Sequence, residues 1–86
     1  MFEEFFRQRL AQLRLAKGVS ARDMSLSLGQ SESYINKIEN GKAFPSMQIF
    51  FYICEYFGIT PEDFFTQESR YPEQLRELMT DLQQLN

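Results

Sequence analysis

The sequence predicts an all-α domain of five short helices followed by a C-terminal amphipathic helix. Three observations predict it. Apolar residues recur three or four apart over most of the 86-residue chain. Its four glycines, Gly18, Gly29, Gly41 and Gly58, stand singly, each just after such a stretch, where a left-handed residue ends a helix. No segment alternates with period two for long enough to make a strand.

The first helix runs from about Phe2 to Lys17, with Phe6, Leu10 and Leu13 on one face, and Gly18 ends it. Ser20-Ala21-Arg22-Asp23 resembles a capping box with Asp in place of Glu or Gln. It opens a short helix that turns Met24 and Leu28 inward and stops at Gly29. Ser31 reads as the next N-cap, for a helix from Glu32 to about Asn40 that buries Ile35 and Ile38 and ends at Gly41. Ser46 caps a fourth helix, Met47 to Phe57, whose stripe is Met47, Phe50, Ile53, Cys54 and Phe57. Gly58 ends that one. Thr60-Pro61-Glu62-Asp63 supplies an N-cap, a proline at the first helical position and acids in the first turn, for a helix of a turn or two ending near Phe65. Residues 66–71 are polar and read as a linker. Pro72 starts a last helix with Leu75, Leu78, Met79, Leu82 and Leu85 at helical spacing. The organisation is one domain over residues 1–66, then a linker and helix over 67–86.

Composition excludes most chemistry. The chain has no histidine and one cysteine, so a Ser–His–Asp triad, a Cys–His pair and a Cys/His zinc site are all impossible. Cys54 lies in the longest apolar run, Ile49 to Cys54, and reads as a small core residue. That run is far below the ~20 residues needed to cross a bilayer. No basic start followed by an apolar stretch and a cleavage site directs secretion, so the expected location is cytoplasmic. No Gly-rich phosphate loop is present. The expectation is a protein that is not an enzyme and needs neither metal nor cofactor.

Residues 21–40 carry the functional argument. Two short helices meet at a tight turn at Gly29, sealed by Met24, Leu28, Ile35 and Ile38, with Ser25 small where they approach. That is the spacing of a helix-turn-helix. The strings Leu10, Leu13, Arg14, Gly18, Val19, Ser20, then Leu28 to Lys42 (LGQSESYINKIENGK), then Pro45-Ser46, then Phe57 to Phe65 (FGITPEDFF) resemble the lambda-repressor-like, Cro/XRE-type DNA-binding domain over about residues 7–65. The resemblance implies a sequence-specific transcription regulator, a repressor in kind, acting as a homodimer on an inverted repeat of double-stranded DNA. It implies that Glu32, Ser33, Asn36 and Lys37 face base edges in the major groove. Ser31, Tyr34, Asn40 and Lys42 would lie toward phosphates, helped by helix N-terminal amides. Arg14 and Glu39 match a family pair that orients the recognition helix rather than reading DNA.

Three positions depart from the family pattern and bear on base readout rather than on fold. Ala21 stands where Gln is typical, Glu32 where Gln, Arg or Lys is common, and Gln30 where an apolar residue follows the turn. A carboxylate near phosphates costs affinity unless it accepts from a cytosine amino group. The formal net charge is −3, but it is segregated. Residues 7–42 hold seven basic against three acidic side chains, a net +4, and residues 43–86 hold two against seven, a net −5. With a Debye length of ~8 Å, a duplex feels mainly the near face. A shallow salt dependence is expected, because few phosphates can be neutralised.

Apolar residues exceed what one core needs. Phe51, Tyr52 and Tyr56 flank the stripe of the fourth helix, and Phe2 and Phe5 add to the first. Either these rings cover one another and the short helix at Phe64-Phe65, or they form a docking surface for the last helix or a second subunit. Leu75, Leu78, Met79 and Leu82 are candidates for the same interface, in a seam too short for an isolated coiled coil. Leu85-Asn86 carries no helix stop, which fits a piece of a longer chain. The alternative function is a protein-interaction module on the same fold, an antirepressor or regulatory subunit, that does not bind duplex.

Overall fold

The computed structural model describes residues 2–66. Among them are five helices and no strand: α1 (Phe2–Lys17), α2 (Ala21–Ser27), α3 (Tyr34–Glu39), α4 (Met47–Phe57) and α5 (Pro61–Phe64). The all-α, five-helix expectation holds over this range. The expected helix from Pro72 lies outside the described residues.

The same device closes the first four helices. Beyond α2, the Gly29 amide donates to the Leu26 carbonyl and the Gln30 amide to the Ser25 carbonyl. Beyond α3, the Gly41 amide donates to Ile38 and the Lys42 amide to Lys37. This paired pattern satisfies last-turn carbonyls and needs a left-handed residue at its centre. Gly29 and Gly41 supply it, at φ of 73° and 77°. Side-chain caps open three helices. The hydroxyls of Ser20, Ser46 and Thr60 accept from the amides of Asp23, Ile49 and Asp63. Only Thr60 has the reciprocal bond, its amide donating to the Asp63 carboxylate; α2 keeps the hydroxyl half alone.

Two expectations are corrected. Ser31 is not the N-cap of α3; Ser33 is, and the helix starts at Tyr34. The Ser31 carbonyl instead accepts from the Tyr34 amide, closing a turn. The Ile35 amide, which a helix begun at Ser31 would aim at that carbonyl, donates to the Ser25 hydroxyl at 2.9 Å. A tertiary bond has displaced the first helical one. Met47, expected on the inward stripe of α4, is 66% exposed. Side chains lean toward a helix's N-terminus, so the first residue of α4 leans off the end of the core.

The buried core is Phe6, Leu10, Met24, Ile35, Ile38, Phe50, Ile53, Cys54 and Phe64, drawn from all five helices. Each such side chain contributes about 1.5–3 kcal/mol on burial. Phe6, Phe50 and Phe64 form its aromatic centre, with ring centroids 5.1–6.0 Å apart. Phe44 and Phe65 lean on that centre from outside and remain exposed. Two cations tie helix ends together. Arg9 on α1 donates to the carbonyls of Phe64 and Asp63 at the end of α5, at 2.8 and 3.0 Å. Lys17 reaches the Tyr56 carbonyl near the end of α4 and stands 4.7 Å over that ring. Positive charge at a helix C-terminus offsets its exposed carbonyls.

Candidate nucleic-acid interface

The pair α2–α3 is locked from below by one buried hydroxyl. Ser25 is fully buried, donates to the Ala21 carbonyl at 2.7 Å and accepts from the Ile35 amide at 2.9 Å. Both lone functions of the side chain are met, so its burial carries no polar penalty. Ile35 and Ile38 face the core on one side of α3. The opposite side therefore faces out, and it carries Asn36 and Lys37.

A second lock holds the far end of α3. Arg14 donates from Nε and Nη2 to the two Glu39 oxygens at 2.7 and 3.0 Å, and from Nη1 to the Val19 carbonyl at 2.9 Å. The side chains are only 16% and 15% exposed. The hydrogen bond to Glu39 raises the Arg14 pKa against the opposing effect of burial. A forked, partly desolvated pair of this kind fixes geometry more surely than it adds stability. It sets the angle between α1 and α3.

The outward row begins before the helix. Ser31 and Glu32 are exposed in the turn, Ser33 is half-buried at the N-cap, and Asn36, Lys37, Asn40 and Lys42 are exposed along and beyond α3. Tyr34 is half-buried, and burial pushes its phenol upward. The Asn40 amide group donates to the Asn36 side-chain oxygen at 2.9 Å. That bond uses one lone pair of the Asn36 oxygen and leaves its second lone pair and its Nδ2 donors, the groups with which an asparagine reads adenine. The Glu32 carboxylate accepts from Arg22 Nε at 3.1 Å, an ion pair with both side chains well exposed. Arg22 so offsets the acid that departs from the family pattern. Gln30 is half-buried, and its side-chain amide donates to the Leu28 carbonyl at 3.3 Å, which gives this polar residue a place in the turn.

Arg22 was not legible as a member of this row. It lies ten residues from Glu32, a separation that no helical spacing links, and the turn at Gly29 brings the two together. Of the candidate interface residues, Phe51 and Tyr52 are exposed and Tyr56 is half-buried. Tyr52 accepts from Gln48, and the Tyr56 ring meets Phe57 edge-on. Leu75, Leu78, Met79 and Leu82 lie outside the described residues. Cys54 is buried, and burial raises its thiol pKa. Among the described residues, no cluster of acids and cysteine could hold a metal ion, and no helix is long and apolar enough to cross a membrane.

A family model described as a helix-turn-helix domain matches residues 8–70. An uncharacterized HTH-type transcriptional regulator from Methanocaldococcus jannaschii is 34% identical over 62 residues, covering 72% of this chain and 94% of the relative. The HTH-type transcriptional activator BcrR from Enterococcus faecalis is 30% identical over 63 residues, covering 73% of this chain and 31% of that longer protein. No solved structure matches significantly.

Proposed function

This chain belongs to the helix-turn-helix domain family, and on that premise we propose that it regulates transcription by sequence-specific binding of operator DNA, as a homodimer on an inverted repeat. The observation that carries the reading is the outward row from Ser31 to Lys42, held at both ends by Ser25 and by Arg14–Glu39. α3 enters the major groove, where Glu32, Ser33, Asn36 and Lys37 read base edges. Ser31, Tyr34, Asn40 and Lys42 lie along the phosphates. Two-fold pairing sets two such helices roughly 34 Å apart, one turn of duplex. The protein works in the cytoplasm without cofactor or metal. Its action is repression, by occupying a promoter that polymerase needs. Loss of the gene then raises transcription from the target; a fall instead makes it an activator, as the Enterococcus relative is named.

The test is selection of bound duplexes from a random pool, at low and at physiological salt. An enriched inverted repeat with half-sites about one turn apart supports the reading. No enrichment at either salt removes it. The exposed aromatic rim of Phe44, Phe51 and Phe65 favours a second reading, an interaction module on the same fold that docks a protein and not a duplex.

A further inference from the structure

Seven cations lie between residues 7 and 42, and most are engaged within the fold. Arg9 holds the end of α5, Arg14 holds Glu39, Lys17 holds the end of α4, and Arg22 holds Glu32. The side chains of Lys37, Lys42 and Arg7 make no hydrogen bond or ion pair among the described residues. Lys37 and Lys42 belong to the row already described. Arg7 stands on α1, in a different part of the sequence, and no spacing connects it with α3.

Its guanidinium lies beside Gly41. A Cβ built on Gly41 would lie 3.4 Å from Arg7 Cζ, 3.4 Å from Nη1 and 3.5 Å from Nε. Three nearly equal distances mean that the guanidinium turns its flat face toward Gly41. Arg7 is half-buried there, so part of its rotamer entropy has already been lost. With its face toward Gly41, the guanidinium has the Glu3 carboxylate one turn back on α1 as a charged neighbour, and its N–H edge, which carries donors in a fixed fork, makes no hydrogen bond among the described residues. The turn it covers joins Asn40 to Lys42. All three amides of that turn are occupied, donating to the carbonyls of Asn36, Ile38 and Lys37. An anion arriving at the end of α3 must therefore be met by side chains. Those on hand are Asn40, Lys42 and Arg7.

We propose that Arg7 is a phosphate-binding residue, seated on Gly41 so that α1 and the turn after α3 grip one phosphodiester of the DNA backbone together. The proposal rests on the DNA-binding reading above and adds a contact from outside the helix-turn-helix. A phosphate contact carries no sequence information but fixes how deep and at what angle α3 enters the groove. A guanidinium already held flat loses less freedom on binding than a free lysine would.

The test compares wild type, Arg7→Gln and Arg7→Lys on two probes, an enriched duplex and a random-sequence duplex several turns long. Affinity is measured over a series of salt concentrations, with thermal melts as a folding control. Arg7→Gln is expected to weaken binding to both probes by the same factor, roughly tenfold. The slope of log affinity against log salt should flatten by about 0.9 for each protomer bound. Arg7→Lys keeps the charge, and should keep the slope while losing part of the affinity. If Arg7→Gln shifts the melt but leaves affinity and slope unchanged, while Lys37→Glu abolishes binding to the enriched duplex, Arg7 only covers Gly41 and the proposal falls alone. If wild type binds neither probe, the DNA-binding reading falls and takes this site with it.

Discussion

The Ser25 hydroxyl accepts the Ile35 amide at 2.9 Å across the helix-turn-helix, and that bond decides where α3 begins. It takes the amide that would otherwise start α3 at Ser31, so Ser31 and Glu32 stay in the turn and α3 is six residues long. Ser25→Ala leaves the Ile35 amide buried and unpaired, at a cost of about 1–3 kcal/mol. Urea denaturation should show that loss without a change in slope. Threonine at 25 adds a methyl where there is no exposed surface, and is expected to cost more than the conservative chemistry suggests.

Arg14→Ala strands Glu39 against a half-closed pocket and frees the Val19 carbonyl. We expect a stability loss of about 1–3 kcal/mol, below the figure for a fully buried pair because both side chains retain some solvent screening. A double-mutant cycle with Glu39→Ala should show the two losses to be far from additive. Additive losses would mean that the pair contributes nothing as a pair.

Glu32→Gln removes the acid from the outward row and releases Arg22. Stability should change by less than about 1 kcal/mol, since the pair is exposed. Binding to random-sequence duplex should rise severalfold and discrimination should fall, because a carboxylate repels every phosphate but accepts only from particular bases. A gain confined to one sequence would instead mark Glu32 as neutral toward the backbone. Fluorescence anisotropy on two unrelated duplexes distinguishes these outcomes.

Alkali should destabilise the fold. Burial raises the Cys54 and Tyr34 pKa values, and Glu39 raises that of Arg14. Each raised group holds its proton more tightly folded than unfolded. Its stabilisation is therefore complete below the unfolded pKa and is lost as pH rises through the folded one. The loss should set in above the ordinary thiol range of about 8.5, with Tyr34 following above about 10. Denaturation midpoints at successive pH values measure it, and Cys54→Ala should delay the onset. An onset unmoved by Cys54→Ala assigns it to another group.

Assembly separates the two candidate surfaces. Leu78→Asp with Leu82→Asp, both outside the described residues, should shift sedimentation to the monomer and weaken operator binding far more than non-specific binding. Unchanged sedimentation moves the contact to the exposed rings of Phe51 and Tyr52 with the half-buried Tyr56.

The helices, their order and most of their ends can be read from the letters of the chain. These are local matters: Gly29 and Gly41 need only their own backbone freedom, Ser46 and Thr60 only an amide three residues on, and the Phe6, Leu10, Leu13 spacing only a helical period. Those letters also carry the family pattern, and with it the candidate row from Ser31 to Lys42. Relationships between residues far apart in the chain emerge only when the helices pack. Ser25 displaces the first bond of α3, Arg22 finds Glu32 around the turn, Arg9 and Lys17 leave the pool of free cations, and Arg7 comes to lie on Gly41. The charge of a segment can be counted from its letters. Which of those charges remain available to a partner depends on what each long side chain meets when the helices pack, and that is set by the shape of the whole core.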